Sequence, residues 1–141
     1  MKVTTTAQLN HLRMSPQKVR LVTGLIKGMD AQKAIAQLMF SKKHAARPIK
    51  KLLESAIANA KHNHEISKET LTVENVVVNQ GPVLHRWMPR AQGRATPLRK
   101  RSSHVILTLS GVQENKKEIK KEIKKTDEKK ELKRVKKDNK K

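Results

Sequence analysis

The sequence predicts an α+β fold: a short β arm, three helices and one long antiparallel β-hairpin. Three observations carry that reading. Between Pro16 and Ala60 apolar residues recur three or four positions apart, the period of helices with one buried face. Around Leu71 to Val78 and Val105 to Leu109 they are β-branched or alternate with polar residues, the habit of strands. Between those β runs lies Leu84 to His104, which has a turn signal at its middle and too few apolar side chains for a core of its own. The chain has 141 residues, enough for one domain with a modest core.

Met1 to Leu12 reads as a polar arm in which Val3, Thr4, Thr5 and Thr6 favour extended structure, so pairing with a later strand is expected. Ser15-Pro16 marks a helix start, with Ser at the N-cap and Pro at the first helical position. Val19, Val22 and Ile26, with Leu25 beside them, form its apolar face, while Lys18 and Arg20 point elsewhere. Gly28 suits the position past the helix end, where a left-handed residue stops it. Asp30 is the expected cap of a second helix, buried through Ala34, Ile35, Leu38 and Met39, and Ser41 offers a third cap. Positions 45, 49, 52, 53, 56, 57 and 60 then keep helical spacing, so the third helix should be the longest and the centre of the core. Pro48 is awkward there, because its ring would clash with the His44 carbonyl and remove a bond to it. Either the regular helix begins near Pro48, or the Ser41 turn is kinked.

After Asn63 the helical period ends. Leu71, Val73, Val76, Val77 and Val78 are strand-like, but their alternation slips by one at Glu74-Asn75, which predicts a bulge or a change of face. Val105, Leu107 and Leu109 alternate cleanly. Two β runs flanking a turn predict a hairpin centred near Ala91-Gln92-Gly93, with Gly93 free to take positive φ. Its base can pair with the N-terminal arm and lie on the helices. Its outer part cannot, and at ~3.3 Å per residue it could reach ~30 Å from the body.

Charge points to the partner. The chain holds 33 Lys and Arg against 12 Asp and Glu, a net of +21. The final segment, 113–141, contributes +7 and residues 1–112 contribute +14, so the body is basic by itself. Such a chain repels itself unless nucleic acid or an anionic membrane neutralises it. Membrane is the weaker choice, with no apolar run long enough to span, no visible signal peptide, and only Phe40 and Trp87 as aromatics. Within 84–104 the bases are Arg86, Arg90, Arg94, Arg99, Lys100 and Arg101, and no acid occurs from Asn75 to Val112. Elsewhere the chain has 4 Arg and 23 Lys. Arginine is a planar fork that grips phosphate in two places and stacks on bases, so this local switch marks polyanion recognition. Trp87 beside Arg86 can stack on a base, or else pack the hairpin base.

Other motifs carry less. Ser15-Pro16-Gln17-Lys18 fits S-x-x-K, yet its Ser-Asp-Asn and Lys-Thr-Gly companions are absent, and helix capping explains the residues. His62 and His64 would need further ligands to hold a metal, and they read better as a polar helix end. With no Cys there is neither disulfide nor thiolate chemistry. No glycine-rich phosphate loop occurs. No catalytic residue, metal or cofactor is therefore expected. A small RNA-acting hydrolase would need clustered acids, and Asp30, Glu54, Glu65, Glu69 and Glu74 are spread out. A general nucleic-acid-binding or nucleoid protein is the alternative. Residues 113–141, built on a Lys-Lys-Glu-Ile repeat, read as a Lys/Glu-rich flexible tail with transient helix.

Five blocks in order resemble one family: Arg13-Met14-Ser15-Pro16-Gln17-Lys18-Val19-Arg20 after Ala7; Glu54-Ser55-Ala56-Ile57-Ala58-Asn59-Ala60; Gly81-Pro82; Met88-Pro89-Arg90-Ala91-Gln92-Gly93-Arg94-Ala95; and Lys100-Arg101-Ser102-Ser103-His104. They are similar to the bacterial-type large-subunit ribosomal protein twenty-two family over about residues 3–110. The resemblance implies three helices packed on a three-stranded antiparallel sheet with a long protruding β-hairpin. It implies a ribosomal RNA-binding domain over 1–112, with the hairpin at about 81–104, followed by the tail at 113–141. The RNA-binding set it implies is Arg13, Lys18, Arg20, Arg86, Arg90, Arg94, Arg99, Lys100, Arg101 and His104. The implied tip, lining the nascent-peptide exit tunnel, is Met88, Pro89, Arg90, Ala91, Gln92, Gly93 and Arg94. The implied partners are large-subunit ribosomal RNA, neighbouring large-subunit proteins and the nascent polypeptide, with no membrane and no small-molecule substrate. The implied setting is a cytoplasmic ribosome, or an organelle one.

Overall fold

The computed structural model describes residues 2–112; the tail reading at 113–141 lies outside them. Strand β1 (Lys2–Leu12) is followed by helices α1 (Pro16–Ile26), α2 (Ala31–Phe40) and α3 (Ala46–His64). Then come β2 (Thr72–Gln80), β3 (Leu84–Pro89), a single 3-10 turn at Ala91–Gly93, β4 (Ala95–Lys100) and β5 (Ser103–Val112). The main sheet has the order β1-β5-β2, both pairings antiparallel, and β3-β4 form a separate two-stranded ribbon. This is the expected α+β architecture, with the N-terminal arm as the third strand.

The helices cover one face of the sheet. α3 packs on β1 and β5, α1 packs on β2, and α2 leans on α3. All seven apolar positions of the third-helix stripe are buried, and Ala46 joins them. Burying a Leu or Ile there is worth about 1.5–3 kcal/mol per side chain. From the sheet, Val105, Leu107 and Leu109 of β5 meet them, and all three are fully buried. Their neighbours across the ladders are Leu9, Ala7 and Thr5 on one side and Val78, Val76 and Val73 on the other. Val73 is odd in number while Val76 and Val78 are even, so both sets face the helices only because the register shifts between Val73 and Asn75. The slip at Glu74-Asn75 is thus a bulge that keeps valines pointing inward.

Pro48 resolves simply. α3 begins at Ala46, so Pro48 lies in its first turn, where the N–H has no helical partner to lose and His44 is outside the helix. Ser41 is not its cap. The Ser41 hydroxyl accepts from the Lys43 N–H at 3.4 Å instead. Ser15 and Asp30 occupy the N-cap positions but make no side-chain cap bond. The Asp30 carboxylate instead takes the Lys33 ammonium at 2.7 Å, and that bond raises the lysine pKa. Two apolar expectations fail: Leu25 and Met39 are exposed, while Thr23 and Ala31 are buried. Both helices are short and only a narrow stripe of each meets the sheet or α3, so side chains about 100° round from the centre of that stripe reach water.

The chain reversals use left-handed residues. Lys27 is extended and Gly28 has φ 79°, with the Met29 N–H donating to the Ile26 carbonyl, the geometry of a type II turn. This turn is stitched to β2 by Gly28 N–H to the Val73 carbonyl and Val73 N–H to the Met29 carbonyl, both 2.8 Å. At the end of α3 the left-handed residue is Glu65, φ 53°, and both its N–H and that of Ile66 donate to the Ala60 carbonyl. Ile66, unremarked in the sequence, is then buried, and a Cβ on Gly111 would lie 2.9 Å from it.

Candidate nucleic-acid interface

The ribbon continues β2 and β5 past the edge of the core. Its pairs run from Leu84↔Lys100 to Pro89↔Ala95, and every residue of β3 and β4 is exposed. Arg90 N–H donates to the Arg94 carbonyl at 2.8 Å, which marks 90·94 as a hydrogen-bonded pair. By alternation 88·96, 86·98 and 84·100 are bonded too, and Pro89 and Pro97 fall where an N–H would face outward. Both prolines are therefore tolerated, and both blunt the ribbon's free edges.

The register also sorts the side chains. Opposed residues share a face, so His85, Arg99, Trp87, Pro97, Pro89 and Ala95 lie on one side. Leu84, Lys100, Arg86, Leu98, Met88 and Thr96 lie on the other, which Arg90 and Arg94 extend at the tip. Trp87 is 72% exposed, so it does not pack a hairpin base; its ring is available for stacking. The turn falls at Ala91–Gly93 as expected. Gly93 has φ 67°, and Gln92, unforeseen, has φ 61° as well.

The root is a joint. The summed register numbers change from 183 at Gln80↔Ser103 to 184 at Leu84↔Lys100, so the outgoing strand holds one extra residue across Gly81-Pro82-Val83. Two bonds cross the joint: Gly81 N–H to the Ser102 carbonyl at 2.9 Å and the Ser102 hydroxyl to the Pro82 carbonyl at 2.6 Å. A Cβ on Gly81 would lie 2.6 Å from Ser102 Oγ and 3.0 Å from His104 Nε2, so only glycine fits without displacement. His104 is held by β1. Its Nδ1 is 3.2 Å from Asn10 Oδ1 and 3.4 Å from the His11 N–H, and the two rings meet edge-on at 4.7 Å. An extra residue in β1 before Leu12, with His11 at φ 55°, makes that contact.

Beside the joint lies an open cleft of about 700 Å³. Arg13, Lys18 and His44 line it from the body, and Arg99, Lys100 and Arg101 from the hairpin. No acid lines it. Like charges drawn from both sides of a joint repel across the gap, and a phosphate backbone between them turns that repulsion into attraction.

The predicted RNA-binding residues therefore separate into groups. Arg13, Lys18, Arg99, Lys100 and Arg101 converge at the root. Arg86, Arg90 and Arg94 follow the ribbon outward. His104 braces the root through Asn10 and His11. Arg20 stands apart: its guanidinium donates to the Val78 carbonyl at 2.8 and 3.3 Å and ties α1 to β2. The ion pairs among the described residues, Lys2–Glu74, Lys33–Asp30 and Lys50–Glu54, all lie on the body. His44 stands outside the RNA-binding set the resemblance implies but lines the cleft; its place in the acid-free run Ser41 to Arg47 is the sequence signal for it.

Residues 7–110 match the family described as ribosomal protein L22p/L17e. Curated relatives described as large ribosomal subunit protein uL22, from Staphylococcus aureus strains JH9, Newman and USA300, are each 45% identical to the chain over 107 residues. The match covers 76% of this chain and 92% of each relative.

Proposed function

This chain belongs to the ribosomal protein L22p/L17e family, and on that premise we propose that it is a structural constituent of the large ribosomal subunit that binds large-subunit ribosomal RNA through its hairpin and hairpin root. It is not an enzyme. Phosphate contacts neutralise RNA repulsion and hold RNA domains in place during assembly. Recognition is by shape rather than by a base code. The observation that carries this reading is the acid-free cleft, whose cations come from the body and from the hairpin at once. RNA bound there would also fix the angle of the hairpin.

Arg86, Arg90, Arg94, Arg99, Lys100 and Arg101 hold RNA along the ribbon, with Arg13 and Lys18 on the body. Arg20 and His104 act first as braces and present only their remaining donors. The tip, Met88 to Arg94, lines the nascent-peptide exit tunnel. The partners are large-subunit RNA, neighbouring large-subunit proteins and the nascent polypeptide, in a cytoplasmic or organelle ribosome. Residues 1–112 form the RNA-binding domain and 113–141 the tail.

Co-sedimentation tests the reading. The protein should be stoichiometric in large subunits at salt that strips loose binders, and neutralising Arg90 and Arg94 should impair its incorporation. Release at low salt, with equal retention on bulk DNA, would favour a general nucleic-acid or nucleoid protein.

A further inference from the structure

A second acid-free run extends from Ala31 to Leu53, away from the hairpin. The fold gathers its cations at the corner where α2 passes to α3. Lys42, Lys43, Arg47, Lys50 and Lys51 line an open groove of about 740 Å³ there. The groove's acid, Glu54, lies 3.6 Å from Lys50 and is already engaged. His44 lines both this groove and the root cleft, so the two basic surfaces are continuous. α2 ends in two exposed apolar side chains: Met39 at 64%, which lines the groove, and Phe40 at 87%, its neighbour in sequence. Phe40 is the chain's one phenylalanine, and Lys42 and Lys43 follow it after a single extended residue.

A bare ring on the residue between two groove-lining ones, Met39 and Ser41, has a specific complement. A protein partner would have to bury about 800 Å² on its side of a stable interface and neutralise the four cations that Glu54 leaves unpaired while gaining two apolar contacts. A nucleic-acid strand satisfies both features together, because its phosphates meet the cations and a base meets the ring. A double helix satisfies only the first, since its bases are already stacked.

We propose that the α2–α3 corner is a second RNA seat for a single-stranded segment, with an unpaired base stacked on Phe40 and the flanking phosphates held by Lys42, Lys43 and Arg47. The seat extends RNA binding to a surface that the hairpin residues do not form.

The test uses the full chain with Trp87→Phe and Phe40→Trp, so that the sole tryptophan reports on the corner. Probes are a 10-nucleotide oligouridylate, an abasic strand of the same length and charge, and a 12-base-pair RNA duplex, with total binding followed by anisotropy. Oligouridylate should quench the reporter saturably, by roughly half or more, as direct base stacking requires. The abasic strand and the duplex should bind with little quenching. Lys42→Gln with Lys43→Gln should raise the midpoint of quenching at least threefold and flatten its salt dependence by about 1.4 in logarithmic slope, from two lost phosphate contacts. Equal quenching by the abasic strand, or unaltered fluorescence while anisotropy shows oligouridylate bound, overturns the seat and leaves the hairpin reading intact. Failure of every RNA to bind overturns both.

Discussion

β2 leads into β3, and β4 into β5, across one joint, yet the inner and outer halves of this hairpin are held by different things. In the inner half, opposed pairs such as Val73↔Leu109 and Val78↔Val105 sit under three helices and are buried. In the outer half, the same ladder geometry carries Arg86, Trp87 and Arg99 in full exposure. Antiparallel pairing is thus common to both, and burial belongs to one. A two-stranded ribbon without a covered face is marginal in water. The outer half has no covered face, so a polyanion that neutralises its arginines is expected to order it.

Amide exchange would show the contrast most strongly. In the free protein, slow amides in β5 at Val105 to Leu109 should be protected at least ~100-fold more than those of β3 and β4, reflecting global against local opening. Equal protection in both halves would break the comparison. Next in size, Leu53→Ala should destabilise the body by about 2–5 kcal/mol by melting, because it opens a cavity at the centre of the core. Trp87→Ala should change stability by less than about 0.5 kcal/mol.

Two smaller effects probe the border between the halves. Gly81→Ala should cost about 1–3 kcal/mol in denaturant unfolding, as the new methyl group meets Ser102 and His104. Arg20→Gln should lower the melting free energy by about 1 kcal/mol, since a partly exposed charged donor to the Val78 carbonyl is lost. Replacing Arg90 and Arg94 together by Gln should leave melting within about 0.5 kcal/mol while reducing the salt slope of RNA binding by about 1.5. An unaltered slope would remove those two arginines from the interface.

Much of the body could be read from side-chain spacing. The α3 stripe from Ala45 to Ala60, the bulge at Glu74-Asn75 and the reversal at Ala91–Gly93 all lie where apolar period or turn chemistry put them. These are local signals, because a misplaced residue would face water within its own element. Leu25 and Met39 misled because periodicity states which residues share a face but not how wide a strip the neighbours cover. The caps at Ser15 and Asp30 were located correctly, yet whether a side chain bonds its own helix or a nearby lysine depends on rotamers that sequence does not encode.

By itself, the sequence determined the element order, the core stripe and a basic, acid-free hairpin, since charge, period and turn preference act over a few residues. Tertiary structure alone decided which cations act together. Arg13 and Arg101 are 88 positions apart in the chain but line one cleft, and His44 joins that cleft to a second groove. It also tied Arg20 to the Val78 carbonyl and left Trp87 bare. The reason is that charges interact through space while composition is read along the chain. Only the packing of α1 on β2, and the extra residue at Gly81-Pro82-Val83, set the direction in which the arginines face.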